Sequence, residues 1–185
     1  MAIKRYNAYA DNTITNQYDH ALSRRKTGAN AGQADSLEIF KIYGQAEATS
    51  VEQSRVLLRF PVNETTLTNI TTIKQDRTAG VLPAKDSVSF YLRLFNVRHA
   101  DTVPPNFKLV AHPLTKDWDE GYGIDLDEYS DNGQSNWLSA STTTAWGTAG
   151  GDYNNALAYE QTFDTGLEDL SIDFTAYVEF IFDES

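Results

Sequence analysis

The chain has 185 residues, a formal net charge of −11 and no cysteine, and 41% of its residues are hydrophobic. This length fits one domain with a sizeable core, and the lack of cysteine excludes disulfides and thiolate metal sites. Ten tyrosines and nine phenylalanines beside one methionine favour strands over a helix bundle. The first residues contain no apolar h-region and no run reaches the length of a membrane span, so we expect neither a signal peptide nor a membrane partner.

The charges are distributed unevenly along the sequence. All 15 Lys and Arg residues lie in residues 1–116 with 10 acidic residues, whereas residues 117–185 contain 16 acidic residues and no basic one. The acidic C-terminal third argues against nucleic acid as a partner. The pattern fits head-to-tail contacts between copies, basic part against acidic part, and it also fits two solvated faces of one monomer.

The first part of the chain predicts strands separated by polar loops. A short strand is expected within residues 6–18, and a loop rich in Gly, Ala and Asn follows at residues 23–35. Residues 37–43 (LEIFKIY) carry apolar side chains on both faces, which predicts a strand inside a sheet.

Residues 54–62 (SRVLLRFPV) alternate strictly and predict the strand around which the fold is organised. We expect one face to line the core, and its members are Val56, Leu58 and Phe60. The opposite face carries two guanidinium groups on an apolar track, formed by Arg55, Leu57 and Arg59. Pro61 lacks an N–H donor and ends the strand.

Later segments continue the β pattern with two ambiguous stretches. Residues 65–84 are compatible with a short helix or an irregular crossover. Residues 87–97 (SVSFYLRLFNV) alternate most cleanly and predict a strand that buries Leu92 and Leu94, and residues 106–114 predict another. Residues 162–173 are predicted to be extended, and residues 174–182 fit either a strand or a short helix capped by Thr175.

From residue 116 to residue 153 the sequence becomes rich in Trp, Gly and Asp, which predicts a long loop region. About six short strands with polar turns and little helical periodicity predict an all-β fold. The expected architecture is a single antiparallel β-sandwich over residues 1–185, jelly-roll-like, with at most one or two short helices.

Three groups of residues are candidates for chemistry or binding. The acidic loop contains Asp117, Asp119, Glu120, Asp125, Asp127, Glu128 and Asp131. Carboxylates beside a tryptophan are what a glycosidase needs, but a solvated acidic loop is the more frequent meaning of this pattern, and we expect no catalysis. The same loop offers oxygen ligands for a structural calcium ion, although its spacing does not match an EF-hand, and no other cofactor is expected.

The second group is the short basic run Arg24, Arg25 and Lys26, which is too small to be a strong nucleic-acid signal. The third group is the three tryptophans, Trp118, Trp137 and Trp146. They either stack on a sugar or plug one end of the sandwich, and packing is the favoured interpretation.

Several short motifs occur in one order along nearly the whole chain. They are Ala10-Asp11-Asn12-Thr13, Asn30-Ala31-Gly32, residues 37–40, 54–62 and 87–97, Trp118-Asp119-Glu120-Gly121, Asn136-Trp137, Trp146, Gly150-Gly151, and Ile172-Asp173-Phe174-Thr175 before Val178. In this order they resemble the DNRLRE-type β-sandwich, a jelly-roll-like module of secreted bacterial and archaeal proteins related to carbohydrate-binding modules. The resemblance implies the fold and not a function.

The chain departs from that family pattern in two respects. Secreted members carry a signal peptide, and the family pattern continues beyond the segment corresponding to residues 174–182 into one or two closing strands. We therefore expect either that the sequence stops short of those strands or that a neighbouring copy or partner completes the sheet, because an open edge invites strand addition.

The start MAIKRYNAYADNTITN, the IYGQA segment and the WDEG loop resemble virion proteins of tailed marine bacteriophages. This resemblance implies a non-enzymatic capsid decoration, cement or head-neck or tail connector protein, assembled in the host cytoplasm, that contacts its own copies and other virion proteins. The expected assembly contacts are Arg24, Arg25, Lys26, Asp119, Glu120, Asp125, Asp127 and Glu128. The alternative function is a carbohydrate-binding module that recognises a polysaccharide through Trp118, Trp137 and Trp146.

Overall fold

A computed structural model describes residues 3–64, 67–97, 103–126 and 134–183. Over these residues the fold is all-β, with two short helices, α1 (Ile73–Thr78) and α2 (Thr175–Asp183). The strands are β1 (Ala10–Thr15), β2 (Lys41–Tyr43), β3 (Val51–Arg59), β4 (Tyr91–Leu94), β5 (Phe107–Ala111), β6 (Tyr159–Phe163) and β7 (Leu170–Asp173). Neither helix has the length and apolar character needed to cross a membrane.

The chain folds into two compact units, each built from discontinuous segments. We call them the tryptophan unit (Ala8–Arg59 and Leu114–Asn154) and the phenylalanine unit (Met1–Asn7, Phe60–Pro113 and Asn155–Ser185). Two such units can belong to one domain or to two, so the single-domain interpretation stays a prediction.

The tryptophan unit contains an antiparallel sheet of three strands in the order β1-β3-β2. The register places Ala10 opposite Arg59 and Thr15 opposite Ser54. One face of this sheet packs on the hydrophobic core, which consists of Ile14, Leu57, Trp118, Trp137, Ala140 and Trp146. The predicted loop region therefore supplies most of the core.

The core-facing side of β3 is opposite to the predicted one. Leu57 is buried in the core, whereas Val56 and Leu58 point to the other face and are only half-buried. Arg55 and Arg59 share the Leu57 side, where their guanidinium groups lie over tryptophan rings. The prediction was wrong because arginine can cover apolar surface with its stem while an indole face receives its charge.

The prediction of a buried strand over residues 37–43 was also wrong in extent and position. Only Lys41–Tyr43 pair with β3, at the edge of the sheet, and all three residues are exposed. Upstream of them, the Ser54 hydroxyl donates to the Glu38 carbonyl oxygen at 2.7 Å and accepts from the Phe40 amide at 2.9 Å. The Ser54 amide also donates to the Phe40 carbonyl oxygen at 3.1 Å, so the backbone and side chain of Ser54 together hold residues 38–40 beside β3.

The phenylalanine unit contains two antiparallel sheets of two strands each, β4 with β7 and β5 with β6. The pairing is nested, because the inner pair lies between the outer strands in sequence. Phe107 and Phe163 stack with ring centroids 4.8 Å apart, and Tyr159 stacks on Phe174 at 4.2 Å. Leu92 and Leu94 pack into this core, as the alternation predicts, but the strand covers only Tyr91–Leu94 and not the predicted residues 87–97.

Both ambiguous stretches contain a helix. Helix α1 begins at a capping box, in which the Thr72 hydroxyl accepts from the Gln75 amide and the Gln75 side chain accepts from the Thr72 amide. Helix α2 occupies most of residues 174–182 and buries Val178 together with Glu179. Glu179 forms a bidentate ion pair with Arg77 of α1, with the shorter contact at 2.7 Å.

Candidate functional site

The sequence motifs that contain Asn12, Asn30 and Gly121 meet at a buried polar cluster centred on Asn12. This residue is fully buried in β1, and its Nδ2 donates to the backbone oxygen of Ser135 at 3.0 Å and to its hydroxyl at 2.7 Å. Its Oδ1 accepts from the Ala31 amide at 3.1 Å. One amide side chain therefore fastens two loops to the sheet.

Asn30 extends this cluster to the acidic loop. Its Oδ1 accepts from the Gly123 amide at 2.9 Å. A Cβ on Gly123 would overlap the Asn30 carbonyl oxygen, and a Cβ on Gly121 would overlap its side-chain oxygen. Glycine is required at both positions because the two backbones touch. We call Asn12, Asn30, Gly121, Gly123 and Ser135 the polar junction.

The three tryptophans belong to the core, with exposed fractions of 4% for Trp118 and 6% for Trp137 and Trp146. Arg55 lies 5.1 Å from the Trp137 ring centroid, and its guanidinium donates to the Gly150 carbonyl oxygen at 2.8 Å. This burial presents no indole face to a sugar and favours the packing interpretation.

Arg59 makes the corresponding contact on Trp118, with its guanidinium carbon 4.9 Å from the ring centroid. The same guanidinium donates to the Trp118 carbonyl oxygen and pairs with the Asp117 carboxylate. The alternation of charge on β3 is therefore part of the core and not a binding surface.

The acidic loop is partly used inside the unit. Glu120 Oε1 accepts from the Asp11 amide at 2.8 Å, whereas Asp119 and Asp125 are exposed. The predicted contacts Asp127 and Glu128, and the candidate calcium ligand Asp131, lie outside the described residues. Within the described ranges, no group of three or more His, Asp and Glu side chains is placed to hold a metal ion.

The basic run is likewise divided between internal contacts and the surface. Arg24 is exposed and pairs with Asp19 at 3.5 Å. Arg25 donates to the carbonyl oxygens of Asn16 at 2.7 Å and Val51 at 3.1 Å, and Lys26 is half-buried. The structure thus assigns Arg25 and Glu120 to internal contacts and leaves Arg24, Asp119 and Asp125 at the surface.

Each unit combines residues from the basic and the acidic part of the sequence. Among the described residues, four ion pairs join a basic residue of 1–116 to an acidic residue of 117–185: Arg59–Asp117, Lys116–Asp152, Arg77–Glu179 and Lys108–Glu160. The first two lie in the tryptophan unit and the last two in the phenylalanine unit. Both units contain more acidic than basic residues, so the asymmetry does not produce one basic body and one acidic body.

Two carboxylates have strongly lowered pKa values. The Lys116 ammonium and the amides of Gly147 and Thr148, each within 2.8 Å, lower the pKa of Asp152 to about 2. In the phenylalanine unit, the Thr165 amide at 2.8 Å is the main cause that lowers the pKa of Glu168 to about 2. Both carboxylates hold loops, since each accepts backbone donors.

Strand β4 leaves one edge open in the phenylalanine unit. The Phe174 amide donates to the Phe90 carbonyl oxygen at 2.8 Å, so the alternation of an antiparallel ladder directs the backbone of Leu92 and Leu94 toward β7. The backbone groups of Tyr91 and Arg93 then point away from β7, where no described strand pairs with them.

The side chains along this edge are large and exposed. Tyr91, Phe95 and Val97 have exposed fractions of 57%, 66% and 61%. The Arg93 guanidinium lies 5.4 Å from the Phe95 ring centroid. We call Tyr91, Arg93, Phe95 and Val97 the β4 edge.

Two other edge strands, one in each unit, are better protected against pairing. On β5, the Lys108 ammonium pairs with Glu160 at 2.8 Å across the exposed face. Strand β2 has only three residues and carries Lys41, whose ammonium lies over Tyr43. Charged side chains and short length are common means of blunting an edge, so β4 is the most open of these three.

Comparison with protein-family models, with curated proteins and with solved structures finds no match to this chain. The resemblances noted in the sequence therefore stay predictions.

Proposed function

We propose that this chain is a non-enzymatic structural protein whose copies contact one another through the β4 edge. The observation that carries the proposal is the combination of unpaired backbone groups on β4 with three exposed apolar side chains, Tyr91 on the strand and Phe95 and Val97 just after it. Such an edge is a template for another strand. The sequence resemblance suggests the setting, a tailed-phage particle assembled in the host cytoplasm, with other virion proteins as further partners.

The jelly-roll-like sandwich is part of the same proposal. Its support is the nested pairing of β4 with β7 around β5 with β6, because folding a long antiparallel hairpin over itself produces that pairing. A sheet of two strands is marginal alone, and addition of a strand at β4 would give a wider sheet.

The proposed partner at β4 is a second copy of the same strand in antiparallel orientation. Pairing about a two-fold axis displaced from Arg93 puts each arginine opposite Tyr91 or Phe95 of the other copy, whereas a register centred on Arg93 opposes two like charges. The first arrangement adds cation–π contacts to the backbone hydrogen bonds. Strand β4 of one copy can therefore pair with β4 of a second copy without placing two arginines opposite each other.

The expected affinity of one such contact is modest. Full burial of an aromatic side chain contributes about 1.5–3 kcal/mol, and association costs about 4–15 kcal/mol in lost freedom and ordering. A single edge contact therefore forms at high protein concentration, while many simultaneous contacts in a particle reinforce one another.

Light scattering after size-exclusion chromatography, over a range of protein concentrations, tests the proposal. The wild-type chain should associate as concentration rises, and high salt should not dissociate it, because the contact is apolar and made by the backbone. Phe95→Lys should abolish the association by placing a charge on the edge.

Val110→Lys provides the matched control, since Val110 is an exposed apolar residue of β5 with 46% of its surface accessible. It should associate like the wild type. A wild-type chain that remains monomeric at every concentration would reject the proposed contact, and so would an equal effect of the two lysine substitutions.

A further inference from the structure

A small cavity of about 200 Å³ lies in the tryptophan unit beside Glu52 of β3. Its lining includes the Glu52 and Asp19 side chains, the Tyr18 ring and the apolar side chains of Leu22 and Ile42. Cavities that hold drug-sized ligands measure about 300–1,000 Å³. The available space therefore suits a group the size of one amino-acid side chain.

Glu52 is buried and incompletely partnered. Only 3% of the residue is exposed, and its Oε2 accepts from the Tyr18 amide at 2.8 Å. Its Oε1 has no hydrogen-bond partner among the described residues. A buried carboxylate oxygen without a donor is costly, because it has lost water and received nothing in return. The described part of the chain supplies no donor for this oxygen.

Two basic side chains lie nearby: His20 lines the cavity, and Arg25 is committed elsewhere. The Arg25 guanidinium donates to two backbone carbonyl oxygens and lies 4.5 Å from the Tyr18 ring centroid. No ion pair in the described part of the chain joins Glu52 to a lysine or arginine. The negative charge of Glu52 is thus left for an external cation.

The rest of the lining fits an alkyl chain that ends in a cation. Asp19 adds a second carboxylate, which also pairs with the exposed Arg24; hydrogen bonds from the Ser23 amide and hydroxyl hold its pKa below the usual range, so it is ionised at neutral pH. Leu22 and Ile42 supply apolar surface at the mouth, with exposed fractions of 42% and 36%. Carboxylates with apolar walls match an ammonium or guanidinium group on a short methylene stem.

We propose that this cavity binds a primary alkylammonium or guanidinium group, whose N–H donors reach Glu52 Oε1 while its methylene groups contact Leu22 and Ile42. The group is either the side chain of a lysine or arginine from another chain or a free amine. This site lies on the tryptophan unit and does not depend on the β4 contact, so either proposal can fail without the other.

Titration with n-butylammonium, followed by NMR shifts of the wild-type chain and by calorimetry, tests the site. The amide signals of Tyr18 and Glu52 should shift on saturation, and n-butanol, which has the same stem without the charge, should not produce that shift. Equal shifts with butanol, or no shift at these residues, would overturn the proposal without any variant.

Two substitutions sharpen the test. Glu52→Gln keeps the shape and removes the charge, and it should weaken butylammonium binding by about tenfold or more, or about 1.4 kcal/mol. Glu47→Gln makes the same charge change on an exposed residue outside the cavity lining and should bind like the wild type. Unchanged affinity in the Glu52 variant would reject the assigned carboxylate.

A second measurement distinguishes the two possible sources of the cationic group. If the cation is a side chain of another copy, butylammonium and Glu52→Gln should each lower the mass of any oligomer measured by light scattering. If the ligand is a free amine, butylammonium should bind and leave that mass unchanged. Both outcomes keep the cation site and assign its occupant.

Discussion

The tryptophan unit and the phenylalanine unit use conspicuous residues in opposite ways. In the tryptophan unit, internal contacts in the core and the polar junction use the indoles, the arginines of β3 and the Asn and Gly motifs. In the phenylalanine unit, aromatic and aliphatic side chains pack between the sheets and the Arg77–Glu179 ion pair joins the two helices, while Tyr91 and Phe95 remain at the surface. The unusual residues of the tryptophan unit are therefore needed to fold its loop-rich core. The exposed contact surface lies instead on β4, a strand with ordinary alternation.

Removal of a core indole should give the largest loss of stability. Trp137→Ala should lower the free energy of unfolding by about 3–5 kcal/mol, because it deletes a buried ring and the contact with Arg55. Urea denaturation measures the loss. The adjacent Leu138→Ala, at a side chain that is 52% exposed, should change stability little. A stable Trp137 variant that lost glycan binding would instead support the sugar-platform alternative.

The polar junction predicts the next effect. Gly123→Ala should cost about 3 kcal/mol, since a methyl group there overlaps the Asn30 backbone, which cannot move aside as a flexible side chain can. Gly28→Ala is the matched control, because a Cβ at Gly28 meets nothing within 4 Å, and its effect should stay within about 0.5 kcal/mol. Equal urea midpoints for the two variants would contradict the junction.

Acid should weaken both units through different carboxylates. The pKa values of Asp152 and Glu168 are lowered to about 2 in the folded chain, from ordinary values of 3.8 and 4.5. A depressed folded pKa contributes stability that is present above the unfolded pKa and is lost as the pH falls through about 4 to 2.

Because all three tryptophans lie in the tryptophan unit, their fluorescence reports the unfolding of that unit. Asp152→Asn should flatten the acid dependence of the fluorescence-detected urea midpoint, since it removes the titrating group. Glu168→Gln should flatten the dependence detected by circular dichroism more than that detected by fluorescence. Identical effects on both signals would show that the two units unfold together.

The smallest expected effect on stability concerns the β4 edge. Phe95→Lys should change the free energy of unfolding of the monomer by no more than about 0.5 kcal/mol, because the ring is 66% exposed. Urea denaturation at low protein concentration measures this value. A large loss would mean that Phe95 is needed for folding and would weaken the interpretation of its effect on association.

The sequence predicted those features that depend on local pattern. Alternation placed Leu92 and Leu94 inside and Tyr91 and Arg93 outside, as the structure shows. The same rule failed for β3, because it treats arginine as an outward residue, and Arg55 lies on an indole instead. Residues 174–182 could not be decided locally, since their apolar spacing fits both periods.

The polar junction could not be predicted from the sequence, for a different reason. Asn30 and Gly123 are 93 residues apart, and nothing local to either one indicates that their backbones touch. The open edge of β4 was equally hidden, because it depends on which strands pair with β7. Long-range pairing, and not residue type, determines where this chain has a free surface.

Hydrogen exchange at β4 at low and high protein concentration tests the central claim most directly. The Leu92 and Leu94 amides, which point toward β7, should be protected at both concentrations, while the Arg93 amide should exchange rapidly when dilute and slow down as copies associate. Protection that appears only at Arg93 and Tyr91 would show that a second strand pairs with this edge. Unchanged exchange at Arg93, in a sample that light scattering shows to be associated, would contradict the account.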